Sequence, residues 1–164
     1  MTITFRPALV PQDVALLTEI FVASVMELAA EDYGEEELAA WVSAADDEAA
    51  FGERLKPMLT LIAFIDSEPA GFVSLKDNAV VHMLYVAPDH ARVGAGTALV
   101  QAIETLALRR GAKALSVDAS DTAKSLFEKL GYVAQRRNTV DLGGIWLANT
   151  TLTKALSEPP AGKA

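Results

Sequence analysis

Val80-Val81-His82-Met83-Leu84-Tyr85-Val86-Ala87-Pro88-Asp89-His90-Ala91-Arg92-Val93-Gly94-Ala95-Gly96-Thr97-Ala98-Leu99-Val100 is the stretch whose reading decides the fold. Val80, Val81, Met83, Leu84, Tyr85 and Val86 form a run too apolar to face water on either side, so it reads as a strand interior to a sheet. Pro88 ends it, having no N–H to give a ladder. Leu99, Ile103 and Leu106 then recur at helical spacing. Between strand and helix, Arg92, Val93, Gly94, Ala95, Gly96 and Thr97 offer backbone N–H groups at a helix start. The two glycines keep side chains off that backbone. Free N–H groups at the positive end of a helix dipole make an anion site suited to phosphate.

Several readings of this loop compete. One is a strand–helix connection that needs glycine only for its turn. A dinucleotide fingerprint would need a third glycine where Leu99 stands, with an acidic residue ending a following strand, and neither is present. A P-loop would need Gly-Lys-Ser/Thr, also absent. The remaining reading is a pyrophosphate site of the coenzyme A type, and the rest of the chain favours it.

The chain of 164 residues is long enough for one domain with a proper core, and 51% of it is apolar, which argues against general disorder. We expect one domain over residues 1–155 and a disordered tail over 156–164, where Pro, Gly and Ala are frequent. No apolar run reaches the length of a membrane span, and the N-terminus lacks a basic region followed by an apolar stretch. With no cysteine, a thiol nucleophile, disulfides and thiolate metal sites are excluded, and a cytoplasmic location is expected. Two histidines, His82 and His90, cannot make a three-histidine metal site, and we expect no metal. The net charge of −8 argues against a nucleic-acid partner. Residues 31 to 53 hold nine acidic side chains and no Lys or Arg. They suit a solvated helical face, or a negative rim that steers a cationic acceptor.

Taken in order, Ile3 to Arg6 alternates as a first strand. Pro11-Gln12-Asp13 opens a helix whose face is Val14, Leu17, Phe21, Val25 and Leu28. Tyr33-Gly34 breaks the pattern, at a position that reads as exposed. Helices follow over about Glu35 to Ser43 and Asp47 to Leu55. Met58 to Ile65 reads as a central strand, Asp66-Ser67-Glu68-Pro69 as a turn, and Gly71 to Leu75 as a returning strand. Asp77-Asn78 makes a hairpin turn into the strand from Val80 to Ala87. The next helix runs to Arg110 and stops at Gly111. Ala114 to Asp118 is a short strand, parallel to its predecessor by the right-handed β-α-β rule. Ser120 caps a helix carrying Ala123, Leu126, Phe127 and Leu130. Val133 to Leu142 and Ile145 to Leu152 are strands joined through Gly143-Gly144. The fold class is α+β, an α/β three-layer sandwich around a mixed, mostly antiparallel central sheet. Its one parallel pair splays to open a cleft at the strands' C-terminal ends.

Three segments together resemble the GCN5-related N-acetyltransferase (GNAT) superfamily: Met83 to Pro88, the loop Arg92-Val93-Gly94-Ala95-Gly96, and Ala123 to Tyr132. The likeness covers roughly Ile3 to Thr153. Within the superfamily the chain is most similar to the YafP-like group, through Val117-Asp118-Ala119-Ser120, Glu37 to Trp41, and Gly144-Ile145-Trp146. The resemblance implies acetyl-CoA as co-substrate and direct transfer to an amine, with no acyl-enzyme. It implies that Arg92 through Thr97 hold the pyrophosphate, that the pantetheine arm pairs like a strand with Leu84, Tyr85 and Val86, and that Ser120, Lys124 and Phe127 adjoin the donor. The sequence departs from the family pattern at Ala91, where Gln or Arg is usual, with Arg92 as a substitute charge. It departs again at Phe127, where a tyrosine often protonates the leaving thiolate, and at Ser120, often Asn.

An ammonium must lose its proton before it attacks a thioester, so a base is needed near the cleft. His82 is the candidate by type and would share a strand face with Leu84 unless a bulge changes the parity; it suits a bonded strand residue equally well. A backbone N–H near Leu84 or Tyr85 would stabilise the oxyanion. The acid is Tyr132, Tyr85 or water, although both tyrosines also fit core packing. His90 reads as solvated or a phosphate neighbour. Tyr33, Trp41 and Trp146 are candidate walls of the acceptor pocket, with Glu31, Asp32 or Glu35 drawing in a cation. Trp41 also suits a core position, one turn after Leu38. The expected partner is a small-molecule amine, and a homodimer is compatible with the sequence. The alternatives are a non-catalytic acyl-CoA sensor and a protein N-terminal acetyltransferase.

Overall fold

A computed structural model describes residues 1–157. In chain order the elements are β1 (Ile3–Pro7), α1 (Val14–Leu28), α2 (Glu35–Val42), a 3-10 turn (Ser43–Ala45), α3 (Glu48–Leu55), β2 (Leu59–Ile65), β3 (Glu68–Lys76), β4 (Val80–Val86), a 3-10 turn (Pro88–His90), α4 (Ala95–Arg109), β5 (Ala114–Ser120), α5 (Lys124–Lys129), β6 (Val133–Leu142) and β7 (Ile145–Ala155). The strands form one sheet in the order β1-β2-β3-β4-β5-β7-β6, antiparallel except where β4 meets β5. The expected three-layer arrangement with one parallel pair is therefore what the chain adopts.

Strand alternation builds a separate core on each face. Leu61, Val73, Val81, Val117 and Leu152 point to one side, where Leu99 and Ile103 of α4 and Phe127 of α5 cover them. Ile62, Phe72 and Leu147 point to the other, against Leu17, Phe21 and Val25 of α1, Leu38 of α2 and Phe51 of α3. A fully buried aliphatic or aromatic side chain contributes about 1.5–3 kcal/mol, so these two layers supply most of the drive to fold.

Several local expectations are corrected. Only Asp66 and Ser67 make the β2–β3 turn; Pro69 lies inside β3 opposite Phe64, beside a register shift that tolerates its missing N–H. Asp13 stands at the N-cap position of α1 but makes no side-chain capping bond. Its carboxylate takes a two-pronged bond from Arg6, 2.7 and 2.8 Å, and the Leu9 N–H, so it ties β1 to the loop before the helix. Leu156, expected in a loose tail, donates its N–H to the Lys113 carbonyl and packs on the α4-side core. The rest of the expected tail, from residue 158, lies outside the described residues.

Strand β4 departs most from its reading. Only Val81 is fully buried; Leu84, Tyr85 and Val86 are half-buried. The cause is topological. β4 pairs with β5 only at Val80–Ser116 and Val81–Val117, after which the strands part. On its other edge β4 carries a bulge, since Met83 faces Ser74 while Val81 faces Leu75 and His82 is the extra residue. The bulge resets the alternation. Val81 and Leu84 join the α4-side core, and Met83 and Tyr85 the α1-side core.

Candidate active site

The parting of β4 from β5 opens a cleft at the middle of the sheet. Its first chamber, about 150 Å³, lies between β4 and the start of α5, with Leu84, Val86, Ala123 and Leu126 among its walls. A second, about 60 Å³, runs deeper to His82, Asp118 and Phe127. A third, about 200 Å³, opens on the β6–β7 side, where Tyr33, Leu142, Leu147 and Asn149 line it. Trp41, Tyr85 and Ser120 border all three.

The loop before α4 leads into a helix whose Gly96 approaches Leu126 and Val86, two walls of the first chamber. Arg92 has φ +63° and Gly94 φ +93°, with Val93 of ordinary handedness between them. Such alternation turns successive N–H groups toward one side. None of the N–H groups of Arg92, Val93 and Gly94 has a hydrogen-bond partner among the described residues. Those of Ala95, Gly96 and Thr97 are first-turn donors that helix geometry leaves unpaired, the first return bond running from Ala98 N–H to Gly94 O. The glycines differ in purpose. A Cβ on Gly94 would meet nothing within 4 Å, so that glycine serves the positive φ. A Cβ on Gly96 would stand 3.1 Å from Leu126 and 3.6 Å from Val86, so that glycine lets α4 close onto β4 and α5 rather than clearing the loop for a ligand.

The candidate catalytic side chains separate. His82 is exposed in the second chamber, and its pKa is lowered by partial burial and by the charges of Lys76 and Arg54, against a raising effect of Asp118. Tyr85 packs on Phe21, Phe72 and Trp41, and burial pushes its hydroxyl up to about 12. Its oxygen accepts a bond from Trp41 Nε1 at 3.2 Å. Tyr132 is not at the cleft. It is 3% exposed, packed edge-on against Phe127, and its hydroxyl has no partner in hydrogen-bond geometry. Burial and the nearby Glu104 carboxylate raise its pKa. Phe127 borders the second chamber, so the aromatic ring adjoins the cleft with Tyr132 behind it.

Among the acceptor-side candidates, Trp41 borders the cleft. Tyr33, expected to be exposed, is 6% exposed. Its hydroxyl donates to the Ala148 carbonyl at 2.6 Å and accepts the Asp121 N–H at 2.9 Å, which joins the α1–α2 loop to β7 and to the turn after β5. Trp146 is 59% exposed and borders none of the three chambers, because alternation along β7 sends Leu147 inward and Trp146 out. Ser120 ends β5, and its hydroxyl accepts the Ala123 N–H in the turn before α5; it does not cap the helix as expected, since the N-cap position is Ala123 and carries no side-chain bond. Lys124 is the first residue of α5, half-buried. His90, read as solvated, instead pairs with Glu68 at 3.1 Å. Glu37 bonds the Gly34 N–H and Asp47 the Ala50 N–H as helix caps, so part of the acidic run is structural.

Asp118 borders the second and third chambers, although the sequence suggested only a strand end there. The available signal was an acid at the C-terminal end of an interior parallel strand. Among the described residues no group of three His, Cys, Asp or Glu side chains is placed to hold a metal ion, and no helix is long and apolar enough to cross a membrane.

Residues 29–153 match the family model described as an acetyltransferase (GNAT) domain. The chain is 32% identical to the N-acetyltransferase YafP of Escherichia coli (strain K12) over 139 residues, 85% of this chain and 87% of that protein. The crystal structure of a GCN5-related N-acetyltransferase from Rhodopseudomonas palustris superposes with a TM-score of 0.91 at 54% identity, over 95% of this chain and 97% of that one. The PaiA N-acetyltransferase of Thermoplasma acidophilum, solved in complex with coenzyme A, shares the fold at a TM-score of 0.76 and 23% identity, over 94% and 99% of the two chains. With the splayed β4–β5 pair, the unpaired amides before α4 and this family match, the chain belongs to the GNAT acetyltransferases, enzymes that move the acetyl group of acetyl-CoA to an amine.

Proposed function

We propose that this N-acetyltransferase acts on the amine of a small molecule, with the donor along the first two chambers and the acceptor in the third. The observation that carries the reading is the small size of the third chamber and the residues that line it. At about 200 Å³, walled by the β6–β7 hairpin and by the loop that Tyr33 fastens down, it suits a compact acceptor better than a polypeptide end.

The residues fit the donor. The N–H groups of Arg92 through Thr97 supply donors for a diphosphate at the positive end of α4. β4 beyond Val81 has no strand beside it on the β5 side, so Leu84 to Val86 offer backbone to an extended amide-bearing chain. Acetyl-CoA, when bound, supplies a thioester carbonyl whose C–S bond breaks as the amide C–N bond forms. His82 takes the proton that leaves the amine, and its lowered pKa keeps the ring neutral and able to do so at neutral pH. Tyr85, which stays protonated and borders the donor chambers, gives the leaving sulfur a proton; Tyr132, sealed behind Phe127, does not. An acidic surface around Glu31, Asp32 and Glu35 favours the approach of cations.

The test is thiol release from acetyl-CoA over a panel of small amines and peptides with free N-termini. Turnover with small amines and none with peptides is the expected result. Turnover confined to peptides would transfer the activity to protein N-termini, and CoA binding without turnover would make the chain a sensor.

A further inference from the structure

We infer that Asp118 seats the acceptor's ammonium group and that the acceptor carries no carboxylate. This rests on the acetyl-transfer reading above and names the substrate class of that site. Asp118 is the last outward-facing residue of β5 before Ser120, and it borders both the His82 chamber and the acceptor chamber. Its carboxylate is held rather than loose. Oδ1 accepts the Thr151 hydroxyl from the paired position on β7, and Thr151 accepts Asn138 Nδ2 at 2.8 Å. Oδ2 has no hydrogen bond among the described residues, so one oxygen is fixed and the other is available to a donor in the cleft.

The surroundings define what that donor is. Across the acceptor chamber stand Tyr33, Trp41 and Tyr85, whose ring faces favour a cation, with Val140, Leu142 and Leu147 for an apolar body. Among the described residues no Lys or Arg borders the chamber. Arg137, on the neighbouring strand, is committed to Asp121 at 2.6 and 2.9 Å and to the Thr150 hydroxyl. An acceptor with a carboxylate beside its amine would therefore bring a negative charge to an acid and find no lining cation to offset it; Lys76 and Arg54, whose charges reach His82, do not line the acceptor chamber. A primary amine on an aliphatic or aromatic body meets one carboxylate, aromatic faces and apolar walls. The ammonium at Asp118 would also lie at the chamber that holds His82, which is where its proton must leave.

Asp118→Asn keeps an acceptor for the Thr151 hydroxyl and removes only the charge. The experiment uses the full chain with saturating acetyl-CoA and three probes: benzylamine, cationic at neutral pH; aniline, neutral there; and phenylalanine, an amine with a carboxylate. Binding of each probe with CoA present is measured by calorimetry alongside thiol release. The expected result is benzylamine preferred over phenylalanine, with Asp118→Asn weakening benzylamine on the order of ten- to a hundredfold. Aniline and CoA should stay within twofold. A parent protein that does not bind benzylamine, a variant that binds it equally well, or a preference for phenylalanine overturns the inference. Benzylamine binding that depends on Asp118 without thiol release would instead remove the catalytic reading and leave the ammonium seat standing.

Discussion

Trp41 and Tyr85 meet across the cleft: the indole Nε1 donates to the phenol oxygen at 3.2 Å, with ring centroids 6.3 Å apart. One residue comes from α2 and the other from the half of β4 that has lost its parallel neighbour. The bond leaves the Tyr85 hydroxyl hydrogen free to point elsewhere, and burial keeps it in place up to about pH 12. Tyr85→Phe should lower kcat, while Trp41→Phe, which keeps a ring but loses the N–H, should chiefly raise the acceptor KM. Loss of the bond should cost about 1–3 kcal/mol in Tyr85→Phe, where the indole N–H is left unpaired. Steady-state kinetics with acceptor varied separate the two; an unchanged kcat in Tyr85→Phe would assign the proton to water.

His82 makes a signed prediction about pH. The neutral imidazole is the active base, and partial burial with Lys76 and Arg54 lowers its pKa below the ordinary 6.5. The acid limb of kcat/KM should therefore fall below pH 6.5, so that activity at pH 6.5 exceeds half its plateau. Protonation at lower pH removes the base and the activity with it. His82→Gln should abolish that limb and reduce kcat roughly a hundredfold. A limb that persists in the variant would belong to another group.

The two loop glycines should respond differently to alanine. At Gly94 the cost is conformational, about 1–2 kcal/mol for placing a side chain at φ +93°. At Gly96 the new Cβ presses on Leu126, the end of a flexible side chain that borders the first chamber, so the stability cost should stay below about 1 kcal/mol. Gly96→Ala should raise the KM for acetyl-CoA more than Gly94→Ala does. Thermal unfolding and donor kinetics on both variants check this, and equal effects would mean one shared role.

These contrasts show what a one-dimensional reading reaches. Apolar runs, the turn residues and the β-α-β rule suffice for the sheet, its parallel pair and the amide loop, because each signal is local. The bulge at His82 entered the reading only as a condition: a period-of-two count assumes a regular ladder, and the partner that breaks it is the Ser74–Leu75 step of another strand. Tyr33 looked exposed beside Gly34 because its partners, Ala148 and Asp121, lie far along the chain. Trp146 looked like a pocket wall because aromatic content carries no facing; the register with Asp141 decides that it points outward. The end of the parallel strand at Asp118 was expected beside the cleft, but the bond that fixes its carboxylate depends on Thr151 of a strand far along the chain.

Tyr132 offers a negative control for the proton donor. Its hydroxyl is buried without a hydrogen-bond partner among the described residues, and its ring packs on Phe127 with Lys154 Nζ 5.6 Å from the ring centroid. Removing an unpartnered buried hydroxyl forfeits little, so Tyr132→Phe should stay within about 1 kcal/mol of the parent in stability. Its kcat should match the parent. A large fall in kcat would return this hydroxyl to the mechanism.

Tyr33 ties together three parts of the acceptor chamber, and its removal should be felt there rather than at the donor. The hydroxyl joins the α1–α2 loop to β7 through Ala148 and to the turn before α5 through Asp121, whose carboxylate is itself gripped by Arg137. Thr122 adds a parallel tie to Asp32 at 2.8 Å. Tyr33→Phe leaves the ring against Trp41 but frees a buried carbonyl and an N–H, an expected loss of about 1–3 kcal/mol. The loosened loop widens the chamber, so the acceptor KM should rise several-fold while the KM for acetyl-CoA, set at the far end of the cleft, stays put. Hydrogen exchange should show faster exchange at Ala29 to Gly34 and at Asp121 to Ala123 together, because one hydroxyl fastens both. Faster exchange in only one of the two segments would mean that the Arg137–Asp121 pair alone secures the other.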